Sequence, residues 1–305
     1  MTENTLHLRF VSNGREFQMG AGEEIDITEI SGLESSDLDL VTTETALADG
    51  SYVEARKIKK RPISIKAGFC NNKDNASKRA SVIRFFNPKF FGTLYVALMG
   101  TERKIPYEIE GWKFVKQKNL DQRIHITLDL ICPDPYFSSL SDFGKNMASK
   151  TALFAFPWRS LPKRAENIKA YQEKARGLLL GGNVMGYRTL REYVNLFNNG
   201  DCETGVRAVF IARKGPVKNP KIEHKSSGEY MRVITDMAKG DQLVIDTSKR
   251  HQIIELNGQN VYQRVDHFST PFQLFVGDNL LKYTADEGQP NLDVNLYFTS
   301  RYVGV

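Results

Sequence analysis

LFNNGDCETGVRAVFIARKGPVKNPKIEHKSSGEYMRVITDMAKGDQLVIDTSKRHQIIELNGQNVYQ (residues 196–263) and FSTPFQLFVGDNLLKYTADEGQPNLDVNLYFTSRYVGV (residues 268–305) decide the fold class. Short apolar runs alternate with turn signals: Asn199-Gly200-Asp201, Asn257-Gly258, Gly277-Asp278-Asn279 and Gly288-Gln289-Pro290. Glycine and asparagine tolerate the positive φ of tight hairpin turns, and proline cannot sit inside a central ladder. Leu292, Val294, Leu296 and Phe298 fall on one face of a strand, Asp293, Asn295 and Tyr297 on the other. That period of two marks a half-buried strand. Leu243–Thr247, Gln252–Leu256, Phe272–Val276 and Leu280–Thr284 are shorter runs of the same kind. Strands at this spacing, with no helical pattern between them, predict an antiparallel β-sandwich.

Upstream, Leu6, Leu8 and Phe10 alternate with His7 and Arg9 and predict an opening strand; Glu23–Ile30 predicts another. Two long segments flank Asp49-Gly50, a strong hairpin signal. The descending limb is basic: Arg56, Lys57, Lys59, Lys60 and Arg61 form either a solvated strand face or a contact between subunits. Asp74–Asn87 predicts a helix, capped by Asp74 or Asn75 and ended by Pro88. Ala76, Ala80, Ile83 and Phe86 form its expected packed stripe, with Lys78, Arg79 and Arg84 away from it. Gly92–Met99, Lys104–Gly111 and Arg123–Ile131 predict strands, the last with Ile124, Ile126, Leu128 and Leu130 inward. Ser138–Ser149 is small and polar, which places a domain boundary there and divides the chain into 1–148 and 149–305. Ala152–Arg159 predicts a strand, and Lys163–Arg176 a basic helix stopped by Gly177, with a thin stripe from Ala165, Ile168 and Ala175.

With 305 residues, 41% apolar and 26% charged, the chain can bury a core in each of two domains. No apolar run approaches the ~20 residues that span a bilayer, so no membrane insertion is expected. MTENTLHLRF lacks a signal-peptide pattern, so assembly in the cytoplasm is expected. Cys70, Cys132 and Cys202 are odd in number and far apart, against both a disulfide framework and a zinc site. Cys132, ending an apolar strand, reads as a small core hydrophobe.

Residues 1–50 hold eleven acids against Arg9 and Arg15, whereas residues 51–118 hold sixteen Lys and Arg against five acids. Such opposed neighbours are expected to pair within the fold or across subunits rather than bind nucleic acid. His7, His125, His224, His251 and His267 are scattered without metal-ligand spacing. No Gly-x-Ser-x-Gly elbow occurs, and Gly177–Gly186 lacks the Gly-Lys-Ser/Thr ending of a phosphate loop. The sequence therefore offers no catalytic, metal or cofactor-binding residue, and no enzyme is expected. Neither tryptophan, Trp112 or Trp158, lies in 159–305, so a sugar platform there falls to Tyr230, Tyr262 or Tyr283, each expected half-buried between strands.

The ordered series NNGDCETG, NP, GEY, GDQLVIDT, LNG, LFVGDN and RYVGV resembles the C-terminal domain of siphophage distal tail proteins. These tail-tip proteins join the tail tube to the adhesion apparatus. The resemblance implies a mainly β chain: a β-barrel-like belt domain with one packed helix, then a galectin-like antiparallel β-sandwich. It implies a homohexameric ring in the virion, a hub between the tail tube protein and the tail-associated lysin, with a receptor-binding protein as a further partner. DNA only passes through, and the acidic first fifty residues would suit a channel wall. In that reading Asp49, Gly50, Arg56, Lys57, Lys59, Lys60 and Arg61 are candidate ring contacts. Lys163, Arg164, Lys169 and Lys174, on the inserted basic helix near 163–177, are candidate contacts for an outer partner. Two other readings stay open: a carbohydrate-binding host-recognition module of the tail, and a tail-tube or contractile-baseplate component.

Overall fold

A computed structural model describes residues 5–44, 49–69, 75–115, 124–152, 186–190, 193–250 and 252–305. The described residues are mainly β, with one α-helix. In chain order the first elements are β1 (His7–Ser12), β2 (Arg15–Gly20), β3 (Ile25–Ser31), β4 (Leu38–Glu44), β5 (Ser51–Ile58) and β6 (Arg61–Phe69). Then come α1 (Asn75–Phe85), β7 (Phe91–Leu98), β8 (Thr101–Phe114), β9 (His125–Cys132) and β10 (Phe137–Ser138).

Seven of these strands form an antiparallel sheet in the order β2-β1-β7-β8-β9-β6-β3. Alternation sets its buried face: Leu8 and Phe10, Ile63 and Ile65, and Ile126, Leu128 and Leu130 all enter one core. The outermost strands, β2 and β3, are consecutive in the chain and separated only by residues 21–24. Laid flat, seven strands would hold them roughly 29 Å apart. The short connection reaches at most about 17 Å. The sheet therefore curls back on itself.

The helix packs by a stripe that shares only Phe86 with the expected one. Val82, Phe85 and Phe86 are buried, whereas Ala76, Ala80 and Ile83 face outward. The rings decide this, because Phe86 meets Phe10 and Phe85 meets Phe17 at centroid distances of 5.2 Å each. Burying aromatic surface outweighs burying alanine methyls. Lys78 falls on the packed side; its stem is covered and its amine lies 3.6 Å from Glu24.

The second set of elements comprises β11 (Phe143–Asn146), β12 (Ala148–Ala152), β13 (Gly186–Leu190), β14 (Tyr193–Asn198) and β15 (Arg207–Ala212). It continues with β16 (Val217–Lys218), β17 (Lys221–His224), β18 (Tyr230–Arg232), β19 (Asp236–Met237) and β20 (Gln242–Asp246). β21 (Ile253–Leu256), β22 (Gln259–Asn260), β23 (Gly277–Thr284), β24 (Leu292–Phe298) and β25 (Arg301–Tyr302) complete it. Two antiparallel sheets, β11-β24-β15-β20-β21-β22 and β14-β23-β17-β18, supply a second core. Phe210, Ile245 and the predicted face Leu292, Val294, Leu296 and Phe298 enter from one sheet, Leu196, Ile222 and Leu281 from the other.

Turn chemistry is met at Asn257 and Gly258, whose φ angles of 52° and 79° join β21 to β22. Two expectations fail. Gly277-Asp278-Asn279 begins β23 rather than forming a loop. Phe272–Val276 is no strand, and Leu274 makes only an isolated bridge to Thr204. The Phe275 amide instead donates to the Asn279 side chain at 2.7 Å, so the ladder cannot continue. Within Ser138–Ser149, β11 pairs with β24 and sets Phe143 against Phe298. The expected strand beyond Ala152 and the expected helix of 163–177 lie outside the described residues.

The chain crosses between the two cores twice, through residues 139–142 and again through 299–300. The Ser139 amide donates to the Ser300 carbonyl at 3.1 Å and ties the crossings together. Residues 301–305 then return to the first core, where β25 pairs with β10 and Tyr302 and Val305 pack. The acidic and basic stretches also pair within the chain: Lys66 with Glu29 at 2.7 Å, Lys59 with Asp39 at 3.5 Å, and Lys78 with Glu24.

Candidate assembly surface

The β4–β5 hairpin belongs to neither large sheet. Every residue of β4 is exposed, as is all of β5 except the half-covered Ile58. Register places Leu38 beside Ile58 and Leu40 beside Arg56 on one face, and Val41 beside Ala55 on the other. Leu40 is 48% exposed and Tyr52 67%. An isolated two-stranded ribbon is marginal in water, and this one leaves apolar surface exposed on both faces. Charge is uneven along its length: Glu44, Asp49 and Glu54 lie in the distal half, while Arg56, Lys57, Lys59 and Lys60 lie at the root with Asp39, which faces Lys57 across the ladder. Asp49 and Gly50 are exposed at the distal turn, where Gly50 adopts φ 99°.

Arg61 differs from its basic neighbours. It is 1% exposed and stacks 4.9 Å from the Phe137 ring. Its Nε donates to the Pro135 carbonyl and one Nη to that of Gly32, both at 2.7 Å, and the other Nη donates to Val303. Burial pulls its pKa below the ordinary guanidinium value. The sequence did carry the signal, since Arg61 shares the period-two face of Ile63 and Ile65.

Beside the hairpin root, between the two cores, lies an open cleft of about 780 Å³. Arg56 and Lys57 meet Arg250, Arg301, Asp134 and Tyr136 there, residues distant in sequence. Arg301 grips both oxygens of Asp134 at 2.5 and 2.6 Å and lies 4.5 Å from the Tyr136 ring. Arg250 donates to the Pro133 carbonyl at 2.9 Å. Cys202 also lines the cleft; burial, and next Asp201, push its thiol pKa up. Lys163, Arg164, Lys169 and Lys174 lie outside the described residues.

A second depression, about 560 Å³, covers the outer face of the six-stranded sheet. Its floor includes Val209, only 8% exposed, and its rim Arg207, Asp246, Asn295 and Tyr297. Of the tyrosines considered for a sugar platform, Tyr283 is buried and Tyr262 is 56% exposed, so neither is the half-buried ring expected. His224 is buried between Ser227 at 2.9 Å and Asn279 at 3.1 Å and stacks on Phe272, a structural arrangement. Among the described residues no cluster of three His, Cys, Asp or Glu is placed to hold a metal, and no helix is long and apolar enough to cross a membrane.

Residues 199–302 match the family model of the siphovirus-type tail component, C-terminal domain. The chain also superposes on the Dit (gp 19.1) protein of phage SPP1, described as a paradigm of the hub adsorption apparatus in phages infecting Gram-positive hosts. The TM-score is 0.65 at 12% identity, covering 96% of this chain and 98% of that one. The phage P2 baseplate in its Ca-activated conformation aligns at a TM-score of 0.49 and 7% identity, over 99% of each chain. No curated protein matches the chain. The resemblance to distal tail proteins read from NNGDCETG through RYVGV is borne out by the family match and the SPP1 Dit fold.

Proposed function

We propose that this protein is a structural virion protein, one subunit of a closed homohexameric ring at the distal end of a phage tail. In this reading the curled sheet is a barrel-like belt and the second core a galectin-like sandwich, divided within 138–149. The ring is a hub that receives the tail tube protein on one side and the tail-associated lysin and receptor-binding apparatus on the other. DNA passes through it without being held. The observation that carries the reading is the β4–β5 hairpin, exposed and apolar on both faces. Head-to-tail contacts between identical copies cover such a ribbon and, if the rotation closes, leave no unsatisfied end. Light scattering of the purified protein across concentration and salt tests this. A discrete six-subunit species, or twice that, is expected; a monomer at every concentration overturns it.

The saucer on the six-stranded sheet supports a second reading, glycan recognition. An apolar floor ringed by Arg207, Asp246, Asn295 and Tyr297 offers what a sugar needs, a surface for its C–H face and polar groups for its hydroxyls. Binding on a glycan array that is lost in Arg207→Ala would favour it; a blank array would remove it.

A further inference from the structure

We propose that the cleft between the two cores binds a base-free phosphodiester chain, a polymer of polyol phosphates with a negative charge on every repeat. This goes beyond the ring reading and does not depend on it. Arg56, Lys57, Lys249, Arg250 and Arg301 line the cleft, and only Asp134 and Glu203 oppose them. A cleft lined mainly by one sign of charge concentrates ions of the other. The two acids leave much of the positive charge free. Arg301 spends a single nitrogen, Nη2, on both oxygens of Asp134. Arg250 comes no closer to Asp134 than 3.9 Å, and Lys249 no closer to Glu203 than 3.7 Å. Arg56 makes no ion pair among the described residues, and its cross-strand neighbour is Leu40. Planar guanidinium forks match phosphate oxygens two at a time. Ser138 and Ser248 add hydroxyls to the lining, which suit the polyol between phosphates. At about 780 Å³ the cleft is of the size that encloses small ligands, room for a short stretch of such a chain. A nucleic-acid strand fits less well, because single strands are held by stacking their bases on aromatic rings. Among the described residues Tyr136 is the one aromatic ring in the lining, and Arg301 already lies 4.5 Å from it.

Calorimetric titration of the purified full chain tests it, with a synthetic glycerol phosphate oligomer as the probe. Binding is expected at low salt and should weaken as sodium chloride rises. Arg56→Ala with Arg250→Ala should weaken it by about tenfold or more, and Arg250→Lys, which keeps the charge but not the fork, by less. Lys249→Ala, on a side chain 67% exposed, should also weaken it without touching either core. Lys239→Ala, exposed between β19 and β20 and outside the lining, should leave binding unchanged. Melting curves check that each variant folds. A wild type that does not bind the oligomer overturns the proposal. Binding that survives every cleft substitution, or falls equally in Lys239→Ala, overturns the site. A thymidine oligonucleotide or a polyglutamate of matched charge that binds as tightly overturns the assignment to a base-free phosphodiester.

Discussion

The guanidinium of Arg61 and the carbonyl of Val303 meet in one hydrogen bond at the seam between the two cores, 242 residues apart in the chain. The same guanidinium also holds Gly32 and Pro135, so one buried cation gathers three separate stretches of backbone. Arg103 repeats the device one residue later, donating to the Gly304 carbonyl and lying 3.7 Å from the Tyr302 ring.

Replacing Arg61 with alanine should lower unfolding free energy by about 3 kcal/mol, because charged donors are lost and three carbonyls are left buried. Lysine should not restore it, since one ammonium on a flexible stem cannot reproduce a planar fork. Urea denaturation of the two variants beside the wild type measures both effects. Equal stability of Arg61→Ala and wild type would show that water replaces the fork without penalty.

Gly304 admits no side chain. A Cβ built there would sit 2.2 Å from the carbonyl oxygen of Glu34. Gly304→Ala should therefore push residues 301–305 off the first core, at a cost of about 1–3 kcal/mol. Hydrogen exchange at the Val305 amide, which donates to Leu33 at 3.1 Å, should accelerate in the variant. Unchanged protection would mean that the backbone absorbs the methyl group.

Tyr107 is 1% exposed, and its hydroxyl is buried with no hydrogen-bond partner. Burial raises its phenol pKa well above the ordinary value. Removing the oxygen leaves the edge-to-face contact with Phe10, at 5.7 Å, in place. Tyr107→Phe should thus be neutral or stabilising by up to about 1 kcal/mol, where most core changes destabilise. A fall in melting temperature would point to a water on that hydroxyl.

Cys132 is fully buried, and burial pushes its thiol from 9.0 up to about 12. The native state therefore keeps its proton where the unfolded chain has lost it. The stability this confers is complete below the ordinary thiol pKa and is lost as pH rises from there toward the native value. Stability measured between pH 8 and 11 should fall less steeply in Cys132→Ala, although the variant starts lower because of the cavity it leaves. Parallel slopes would show that other groups set the alkaline limit.

The β character of the chain was legible because alternation is a local signal: Leu292 to Phe298 and Ile124 to Leu130 each declare their buried face without help from distant residues. The hairpin was legible from Asp49-Gly50 for the same reason. What could not be read locally depends on what arrives from elsewhere. The packed side of α1 was set by Phe10 and Phe17, which bring rings to Phe85 and Phe86. The Gly277-Asp278-Asn279 segment looked like a turn, yet the buried Asn279 amide bonds to the carbonyls of Leu196, Phe275 and Gly277 and holds the strand straight through it. The cleft was invisible because Arg56, Asp134, Arg250 and Arg301 become neighbours only when the chain has crossed between cores twice. Arg61 sat in a basic run whose other members are solvated, and only its phase with Ile63 and Ile65 set it apart.

Those two crossings have a mechanical meaning. Two bodies joined by one strand can swivel and are separated by whatever peels that strand. Here the outer body hangs from two parallel legs, 139–142 and 299–300, cross-tied by Ser139 and Ser300. Torque about the joint must shear that tie, and tension divides between both legs before it reaches either core. A load on the outer half is thus delivered to β10 and to the strap of residues 301–305 side by side, so the joint behaves as a stiff bracket rather than a tether.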